Sequence, residues 1–599
     1  MSKVHVLPPD VVSKIAAGEV VERPAAVVKE LLENALDAGA TKVEVLVRDG
    51  GKSSIVVRDN GSGIERADLE TIFARHATSK IKSAGDLDNI LSLGFRGEAL
   101  YSIAAVSEVT LKTRTETSHE AWEMFLKGGH REKFLPAAVA AHGTEIRVDE
   151  IFFNTPARKK FLKSDSAEFD QILHIFVPYA LLYPSLHFVL SHNGRTIYDL
   201  APAASASARA AACLNLDERH IIESEARLAD EGITIRFLLG DINIQRPRRD
   251  QQFIFVNHRP VQHKNIAYHM NEVYKLILPD GVHPFFVVFL ELPPEDVDVN
   301  IHPTKREVRL RQEGRFTGFL RTTVEQALMT KGQAKAASDV FRFEETITES
   351  GPVATSSPEA GVPASRIVFA PQQKGGAPVF TPGFDTPAVP SREDNYVAPS
   401  FFSDHMPKTD QTLKERLLAA RFIGTFACKY HLFEEGQSLF LVDQHAAQER
   451  ITFEKFKRQI DKGSVEVQPL LTPLVLKLTP GEMLAWEELK GALNELGLET
   501  TLFGEGAIAI QAYPMLLAAP ENAVRALLGG DEVARTDKDA LARRACRASV
   551  MAGDRMSENE AAHQMKDLMA CQDPMTCPHG RPVFVELKEG FLDKQFLRA

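Results

Sequence analysis

The residues best suited to chemistry in the first part of the chain are a carboxylate and an amide, Glu30 and Asn34, within the stretch 27–38. Apolar residues from Val28 to Ala35 follow the spacing of an amphipathic helix, and Glu30 and Asn34 then lie one turn apart beside that stripe. A carboxylate and an amide on one edge of a helix can form part of a functional site. A solvated helix face carries the same pattern, so the pair alone leaves both interpretations open.

A second polar cluster follows a short predicted strand. Ile55 and Val57 alternate with polar residues, and the run Asp59–Gly63, read D-N-G-S-G, then breaks the strand. An acid at a strand end followed by glycines provides a fixed carboxylate beside a backbone that a flat ligand can approach closely. Farther along, the glycines of 94–100 offer backbone N–H groups suited to phosphates and to a moving lid, and Gly143-Thr144 opens another strand.

In this order and spacing, these stretches resemble the nucleotide-binding fold shared by gyrase B subunits, Hsp90, histidine kinases and MutL proteins. The resemblance implies that Glu30 activates the attacking water and that Asn34 ligates Mg²⁺. By the same resemblance, Asp59 reads the adenine amino group of ATP, and Thr144 supports that contact. The implied ATP-binding set continues with Gly61, Gly63, Thr78, Ser79, Lys80, Gly94, Phe95, Arg96, Gly97, Glu98, Ala99 and Leu100.

Longer strings narrow the resemblance to MutL, the mismatch-repair ATPase family. They are I-A-A-G-E-V-V-E-R-P at 15–24, G-F-R-G-E-A-L at 94–100 and F-F-N-T-P-A-R at 152–158. Another string, V-D-V-N-I-H-P-T-K-R-E-V-R at 297–309, is similar to the same family and implies that Lys305 reaches from a second domain to the γ-phosphate. Such a lysine would let that domain sense whether ATP or ADP is bound.

The C-terminal part of the chain holds a second set of reactive side chains. His445 and Glu449 are four apart and therefore share one helical face, with Asp443 at the end of the strand before them. A capping acid and a satisfied histidine would explain this trio equally well. Cys577 and His579 lie two residues apart next to a proline and a glycine, and a thiolate and an imidazole so placed suit zinc or another divalent ion.

Together these C-terminal stretches resemble the endonuclease site of many MutL proteins. The motif D-Q-H-A-x-x-E-x-x-x-x-E is complete from Asp443 to Glu454, and A-C-R, C-P-H-G-R-P and F-x-R follow it. The implied metal ligands are Asp443, His445, Glu449, Cys546, Cys577 and His579. Cysteine and histidine favour Zn²⁺, whereas the catalytic carboxylates of Asp443 and Glu449 would hold Mn²⁺ or Mg²⁺ to activate water. Which residue binds which ion stays open.

Two further stretches point to partners. The run 468–473 fits Q-x-x-L-x-P and resembles the peptide that docks on the replication sliding clamp, through Gln468, Leu471 and Pro473. A strand entry bounded by prolines is the alternative. Arg259 lies where the MutL family places a DNA-contacting arginine, although His258 stands in place of the usual glycine. We expect it to contact DNA phosphates without base readout.

Composition restricts the class of protein. A chain of 599 residues is long enough for about four domains, and 44% apolar with 25% charged residues is typical of soluble globular proteins. No apolar run approaches the ~20 residues of a membrane span, and 285–290 is predicted to be a buried strand. A net charge of −11 argues against coating nucleic acid by bulk charge, and five cysteines favour a reducing cytoplasm over a disulfide framework.

We predict a multidomain α/β (α+β) chain. Its parts are a Bergerat-type ATP-binding sandwich (1–200), a ribosomal S5-like transducer domain (201–331), a Pro-rich flexible linker (332–410) and an α+β dimerisation and endonuclease domain (411–599) with an outer lobe at about 474–540. The linker prediction rests on ten of the 33 prolines lying between Gly351 and Pro407, in a stretch too poor in periodic apolar residues to offset its ordering entropy.

The resulting hypothesis is a cytoplasmic homodimer of the MutL type, associated with the nucleoid when on DNA. It would bind and slowly hydrolyse ATP and nick one DNA strand, directed by a MutS-type mismatch sensor and by the clamp. An ATP-switched matchmaker with a purely structural C-terminal metal is the alternative, because a structural zinc would use several of the same residues. A chaperone or topoisomerase subunit is disfavoured by the long strings at 94–100 and 152–158.

Overall fold

The computed structural model describes residues 20–78, 97–138, 141–228, 232–275, 277–278, 282–298, 308–311, 313–344, 411–529, 537–549, 556–578 and 580–595. Its helices are α1 (Pro24–Asp37), α2 (Arg66–Leu69), α3 (Ala99–Val106), α4 (Pro156–Phe161), α5 (Asp165–Leu182), α6 (Ala206–Leu214), α7 (Lys264–Tyr274), α8 (Glu313–Glu344), α9 (Gln411–Ala419), α10 (Gln444–Asp461), α11 (Pro480–Glu495), α12 (Pro520–Leu528), α13 (Lys538–Ser549), α14 (Glu558–Met569) and α15 (Glu589–Gln595). Over these ranges, no helix is both long enough and apolar enough to cross a bilayer.

The strands alternate with these helices along the chain. They are β1 (Lys42–Arg48), β2 (Ser54–Asp59), β3 (Glu108–Arg114), β4 (Ala121–Lys127), β5 (His130–Ala137), β6 (Gly143–Asp149), β7 (His187–His192), β8 (Arg195–Leu200), β9 (Ile221–Leu228), β10 (Ile233–Gly240), β11 (Gln245–Arg246), β12 (Gln252–Val256), β13 (Arg259–Val261), β14 (His283–Pro284), β15 (Phe286–Glu291), β16 (Val297–Asp298), β17 (Arg309–Leu310), β18 (Arg421–Phe426), β19 (Tyr430–Glu435), β20 (Ser438–Asp443), β21 (Val467–Lys477), β22 (Glu499–Leu502), β23 (Ala507–Pro514) and β24 (Phe584–Lys588).

The N-terminal unit is built on an eight-stranded sheet in the order β5-β4-β3-β6-β2-β1-β7-β8. Helices α1 and α5 pack on it, and Val28, Val45 and Phe176, one from each element in contact, are fully buried in a single core. Burying side chains of this size contributes roughly 1.5–3 kcal/mol each. This packing fixes the α1 edge that carries Glu30 relative to the end of β2, where Asp59 lies.

A five-stranded sheet, in the order β13-β12-β15-β10-β9, forms the second unit. Its central strand, β15, pairs parallel with β12 and antiparallel with β10. All of its residues from Phe286 to Leu290 are buried, which confirms the predicted buried strand. Met270 of α7 and Leu320 of α8 pack in the core on this sheet.

The C-terminal unit contains a four-stranded sheet, β18-β19-β20-β24, and a three-stranded sheet, β21-β23-β22. The second sheet forms an outer lobe with α11, α12 and α13, around Trp486 and Leu527. The predicted bounds of this lobe, 474–540, were too narrow. Strand β21 begins at Val467, and Leu541 and Cys546 of α13 belong to the same core, because α13 presents an apolar face to α12.

Two other predicted domain boundaries differ from those in the structure. Helix α8 continues to Glu344, past residue 332, where the linker was predicted to start. Residues 331–337, read K-G-Q-A-K-A-A, are mostly good helix formers even without apolar periodicity. The rest of the predicted linker, 345–410, lies outside the described residues. The first core also extends beyond residue 200, since Ala210 and Cys213 of α6 are buried in it.

Candidate functional site

The N-terminal candidate site begins with helix α1. Pro24 lies in its first turn, where a missing N–H is not needed and the fixed φ suits a helix. Val28 and Leu31 are buried beneath the helix, whereas Glu30 and Asn34 lie at its edge and are partly exposed. The structure therefore holds the acid and the amide on a packed helix while leaving both accessible to a ligand.

Asp59 ends strand β2 opposite Thr144 of β6 in the antiparallel register. The backbone N–H of Gly61 donates to Asp59 Oδ1 at 2.8 Å. Burial raises the pKa of Asp59 to about 6, although hydrogen bonds from the backbone of Gly61 and Thr144 act in the opposite direction. The carboxylate is thus fixed by backbone groups and shielded from water, as a group that recognises a single flat ligand needs to be.

The loop after Asp59 is held by residues that the sequence pattern did not single out. The Asn60 side chain accepts the backbone N–H groups of Thr41 and Lys42, each at 2.8 Å, and donates to the Thr41 hydroxyl. Thr113 of β3 accepts the N–H of Ile64 at 2.9 Å and contacts the Thr144 hydroxyl at 3.1 Å. The D-N-G sequence favours a turn at Asn60, whereas no sequence pattern pointed to Thr113.

Glycine is required where this loop crosses the neighbouring strands. A Cβ on Gly63, which has φ +71°, would lie 2.3 Å from the Arg114 carbonyl oxygen. A Cβ on Gly143, with φ +121°, would lie 2.1 Å from the carbonyl oxygen of Asp59. Both distances are far below van der Waals contact with rigid backbone atoms. These two glycines set how closely the loop packs around Asp59.

The predicted phosphate lid is only partly described. Ser79, Lys80, Gly94, Phe95 and Arg96, and likewise Lys305, lie outside the described residues. The two ends of the lid segment lie side by side, because a Cβ on Gly97 would meet the Ala77 carbonyl oxygen at 2.6 Å. Glu98 Oε1 is 3.2 Å from His76 Nδ1, Thr78 is half-buried, and Ala99 and Leu100 begin α3.

At the C-terminal candidate site, Asp443 ends β20 and caps helix α10, accepting the N–H of Ala446 at 3.0 Å. His445 Nε2 lies 3.5 Å from Glu449 Oε1, and this contact raises the pKa of His445. Glu449 is only 5% exposed. The helix therefore brings the predicted trio to one end, and Asp443 also fills the capping role that was the alternative interpretation.

Two buried cysteines lie on other elements of the C-terminal unit, and one of them, Cys546, is near Glu449. Burial raises the pKa of Cys546 to about 12, and the nearby Glu449 carboxylate adds to the effect. Cys577 is 1% exposed in a turn closed by the Gly580 N–H, and this turn is tied to Asp443, whose N–H donates to the Val583 carbonyl.

The donor types fit a soft divalent cation, which would offset the cost of thiolates buried beside a carboxylate. Among the described residues, which leave out His579, no three such side chains come close enough to hold an ion.

Glu454, the last acid of the motif, has a different task. Its carboxylate accepts the backbone N–H of Gln572 at 2.7 Å and that of Asp573 at 3.2 Å. Arg450, one turn earlier, donates from Nε to the Thr576 carbonyl at 2.6 Å. Both residues thereby hold the loop that leads into Cys577. Part of the motif therefore fixes a loop.

The predicted clamp peptide lies within strand β21. The pairing of β21 with β23 shifts register between Pro469 and Leu474, so the residues between them leave the ladder. Leu471 is fully exposed, and Gln468 is exposed at the edge of this bulge. An apolar side chain held out in solvent beside prolines is accessible to a partner.

Arg259 follows a two-residue hairpin turn formed by Asn257 and His258 between β12 and β13. Both turn residues adopt left-handed backbone, with φ 46° and 59°, as a type I′ turn requires. The turn therefore forms despite the histidine in the place of glycine. Arg259 itself is 9% exposed, and its charge lowers the pKa of Tyr183 against a net upward shift caused by burial.

The eight-stranded sheet with its helical layer, the carboxylate at the end of β2 and the acid–amide edge of α1 define a nucleotide-binding domain of the GHKL ATPase class. Residues 22–147 match the family model for the histidine kinase-, DNA gyrase B- and HSP90-like ATPase. Residues 215–329 match the C-terminal domain of DNA mismatch repair proteins, and residues 423–556 match the MutL C-terminal dimerisation domain.

The chain is 36% identical over 629 residues to the DNA mismatch repair protein MutL of Syntrophotalea carbinolica, with 100% of both chains covered. It is also 36% identical to that of Pseudomonas entomophila, over 100% of this chain and 99% of the relative. The ATPase domain of Aquifex aeolicus MutL complexed with ADP is 32% identical, covering 46% of this chain and 94% of that chain, at a TM-score of 0.36. The chain belongs to the MutL family of DNA mismatch repair proteins.

Proposed function

We propose that this protein is a homodimeric mismatch-repair ATPase that couples ATP binding to metal-dependent nicking of DNA. The observation that supports the ATP-dependent half of this proposal is the carboxylate of Asp59 at the end of β2. Backbone N–H groups hold this carboxylate in place. In this proposal Asp59 accepts a hydrogen bond from the adenine amino group, with Thr144 beside it. The lid residues Thr78, Ser79, Lys80 and 94–100 cover the phosphates, and Lys305 reaches the γ-phosphate.

Hydrolysis would use the two polar residues of the α1 edge. Glu30 accepts a proton from the attacking water, and Asn34, one turn away, would be the ligand for Mg²⁺, which neutralises phosphate charge when bound. The buried stripe under α1 supports these roles because it fixes the helix while leaving both side chains accessible. A catalytic base must be held within reach of its water, so a rigid helix is a suitable carrier.

For the nicking half we propose Asp443 and Glu449 as catalytic residues and His445, Cys546, Cys577 and His579 as further ligands. Zn²⁺ would suit the sulfur and imidazole donors, and Mn²⁺ or Mg²⁺ held by carboxylates would activate water when bound. Support comes from Cys546 of α13, which lies near the buried carboxylate of Glu449, and from the hydrogen bond of the Asp443 N–H to Val583, which follows the turn at Cys577.

The second candidate function is an ATP-switched matchmaker with a structural metal only. The hydrogen bonds of Glu454 favour the matchmaker function, because both carboxylate oxygens accept backbone N–H groups of a loop. That arrangement shows how part of an acidic motif can serve folding alone. In either case we propose contacts with a MutS-type mismatch sensor, with DNA phosphates near Arg259, and with a sliding clamp through Gln468, Leu471 and Pro473, in the cytoplasm.

The deciding experiment is nicking of supercoiled plasmid with Mn²⁺. We expect the wild type to nick, and Asp443→Asn and Glu449→Ala to lose nicking while keeping their ATPase rate and a cooperative unfolding transition. Asp461→Asn is the matched control, because it removes an exposed carboxylate from the far end of the same helix. If the wild type fails to nick even with clamp and ATP present, the matchmaker replaces the nuclease proposal.

A further inference from the structure

A buried carboxylate lies between the two proposed catalytic residues of α1. Glu33 is 5% exposed, although it occupies the same helix as the accessible Glu30 and Asn34. Burying an ionised carboxylate is costly unless it is paired and hydrogen-bonded. The reason for placing an acid at this position must therefore lie in its partners.

The partners of Glu33 come from two helices. The Tyr179 hydroxyl of α5 donates to Glu33 Oε1 and is itself buried. The Lys29 ammonium of α1 is 3.1 Å from Glu33 Oε1 and also 3.3 Å from Glu30 Oε1. These contacts form a chain from the core of the domain, through Glu33 and Lys29, to the carboxylate proposed as the general base.

The pKa shifts of Glu33 and Lys29 indicate that Lys29 carries a positive charge between its two carboxylate neighbours. Burial raises the pKa of Glu33, against the opposing influence of Lys29. Burial also lowers the pKa of Lys29, but its two carboxylate neighbours outweigh that effect and the net shift is upward. Lys29 therefore remains an ammonium, able to donate to both carboxylates at once.

We propose that Tyr179, Glu33 and Lys29 are positioning residues that hold the Glu30 carboxylate in its working orientation; this rests on the proposed role of Glu30. A free lysine side chain samples many rotamers, so an untethered Lys29 would restrain nothing. Glu33, fixed by Tyr179, anchors the ammonium at one point. The remaining N–H groups then restrain Glu30, which is otherwise on a partly exposed helix edge.

The test is ATP hydrolysis by the full chain carrying Lys29→Met. We expect kcat to fall roughly ten- to a hundredfold, the range that misplacement of a catalytic group produces. Affinity for a non-hydrolysable ATP analogue should stay within about twofold, since Lys29 faces the base and not the adenine pocket. Lys29→Arg should recover most of the rate. Lys112→Met, which breaks an exposed lysine–glutamate pair elsewhere in the domain, is the matched control.

A double-mutant cycle distinguishes the positioning role of Lys29 from the proposed role of Glu30 as general base. If Lys29 acts through Glu30, adding Lys29→Met to Glu30→Ala costs no further rate. A Glu30→Ala protein that hydrolyses ATP normally would overturn the proposed base. An inactive Glu30→Ala protein beside a fully active Lys29→Met protein would overturn only the positioning chain. Should Lys29→Met unfold, Tyr179→Phe removes a single hydroxyl, and an unchanged kcat in that variant would equally refute the chain.

Discussion

The two candidate sites differ in what holds them together. The N-terminal site is fixed by backbone: Asp59 is set by the register of β2 on β6 and by the Gly61 N–H. The proposed C-terminal site depends on side chains from α10, α13 and the turn at Cys577, which are distant in sequence; of the two thiols, Cys546 lies near Glu449. A site fixed by strand register exists before its ligand arrives. A site of buried thiols and carboxylates would be completed by the proposed ion.

The largest expected effect tests whether the C-terminal site depends on an ion. Stripping divalent metal with a chelator should destabilise the C-terminal unit by about 4 kcal/mol if the ion had been present at a thousandfold over its Kd. Thermal unfolding with and without chelator measures this. Cys546→Ser and Cys577→Ser should lose the response, whereas Cys428→Ser, at a half-exposed position, should keep it. A wild type insensitive to chelation would remove the contrast between the sites.

The next effect tests whether backbone packing sets the N-terminal site. Gly143→Ala places a methyl group against the Asp59 carbonyl oxygen and should destabilise the domain by more than about 3 kcal/mol, at the upper end for overpacking. Gly194→Ala is the matched control, since it has φ +81° but open space around it, and should cost about 1 kcal/mol. Chemical denaturation of both variants gives the comparison, and equal losses would contradict it.

A pH effect is expected from Asp59 at the N-terminal site. The pKa of Asp59 is about 6 in the folded chain and 3.8 ordinarily, so the folded state binds the extra proton between these values. Stability should therefore fall as pH rises from about 4 to 7, by up to about 3 kcal/mol. Asp59→Asn should lack this fall when both proteins are unfolded across that range. Nucleotide affinity should change oppositely, decreasing below pH 6, because a protonated carboxyl accepts the adenine hydrogen bond poorly.

The smallest effect lies outside both sites. His258→Gly should stabilise the second domain by about 1 kcal/mol, because glycine adopts the left-handed conformation of this turn without the Cβ penalty. Thermal unfolding should show a rise in midpoint with unchanged ATP turnover. A loss of stability would mean that the histidine side chain contributes a contact worth more than the backbone strain.

Sequence patterns predicted the elements more fully than their partners. Periodicity identified α1, and the position of Asp59 at a strand end followed from alternation and glycines. The pattern gave no sign that Glu33 would meet Tyr179, 146 residues away, because such contacts depend on how helices pack on the sheet. For the same reason it missed Thr113 and assigned Glu454 to the motif without its loop contacts. Composition also hid the continuation of α8 past residue 332, since the alanines and lysines of 331–337 favour helix without apolar spacing.

The close packing of Gly63 and Gly143 has a consequence at the level of the gene. A glycine codon begins with two guanines, and every base change at either of them encodes a residue with a Cβ or a stop. At these two codons each such change adds atoms where backbone lies within 2.3 Å and 2.1 Å. At Gly39 and Gly194 the same changes meet open space. A collection of inactivating alleles should therefore be dense at the first pair of codons and sparse at the second.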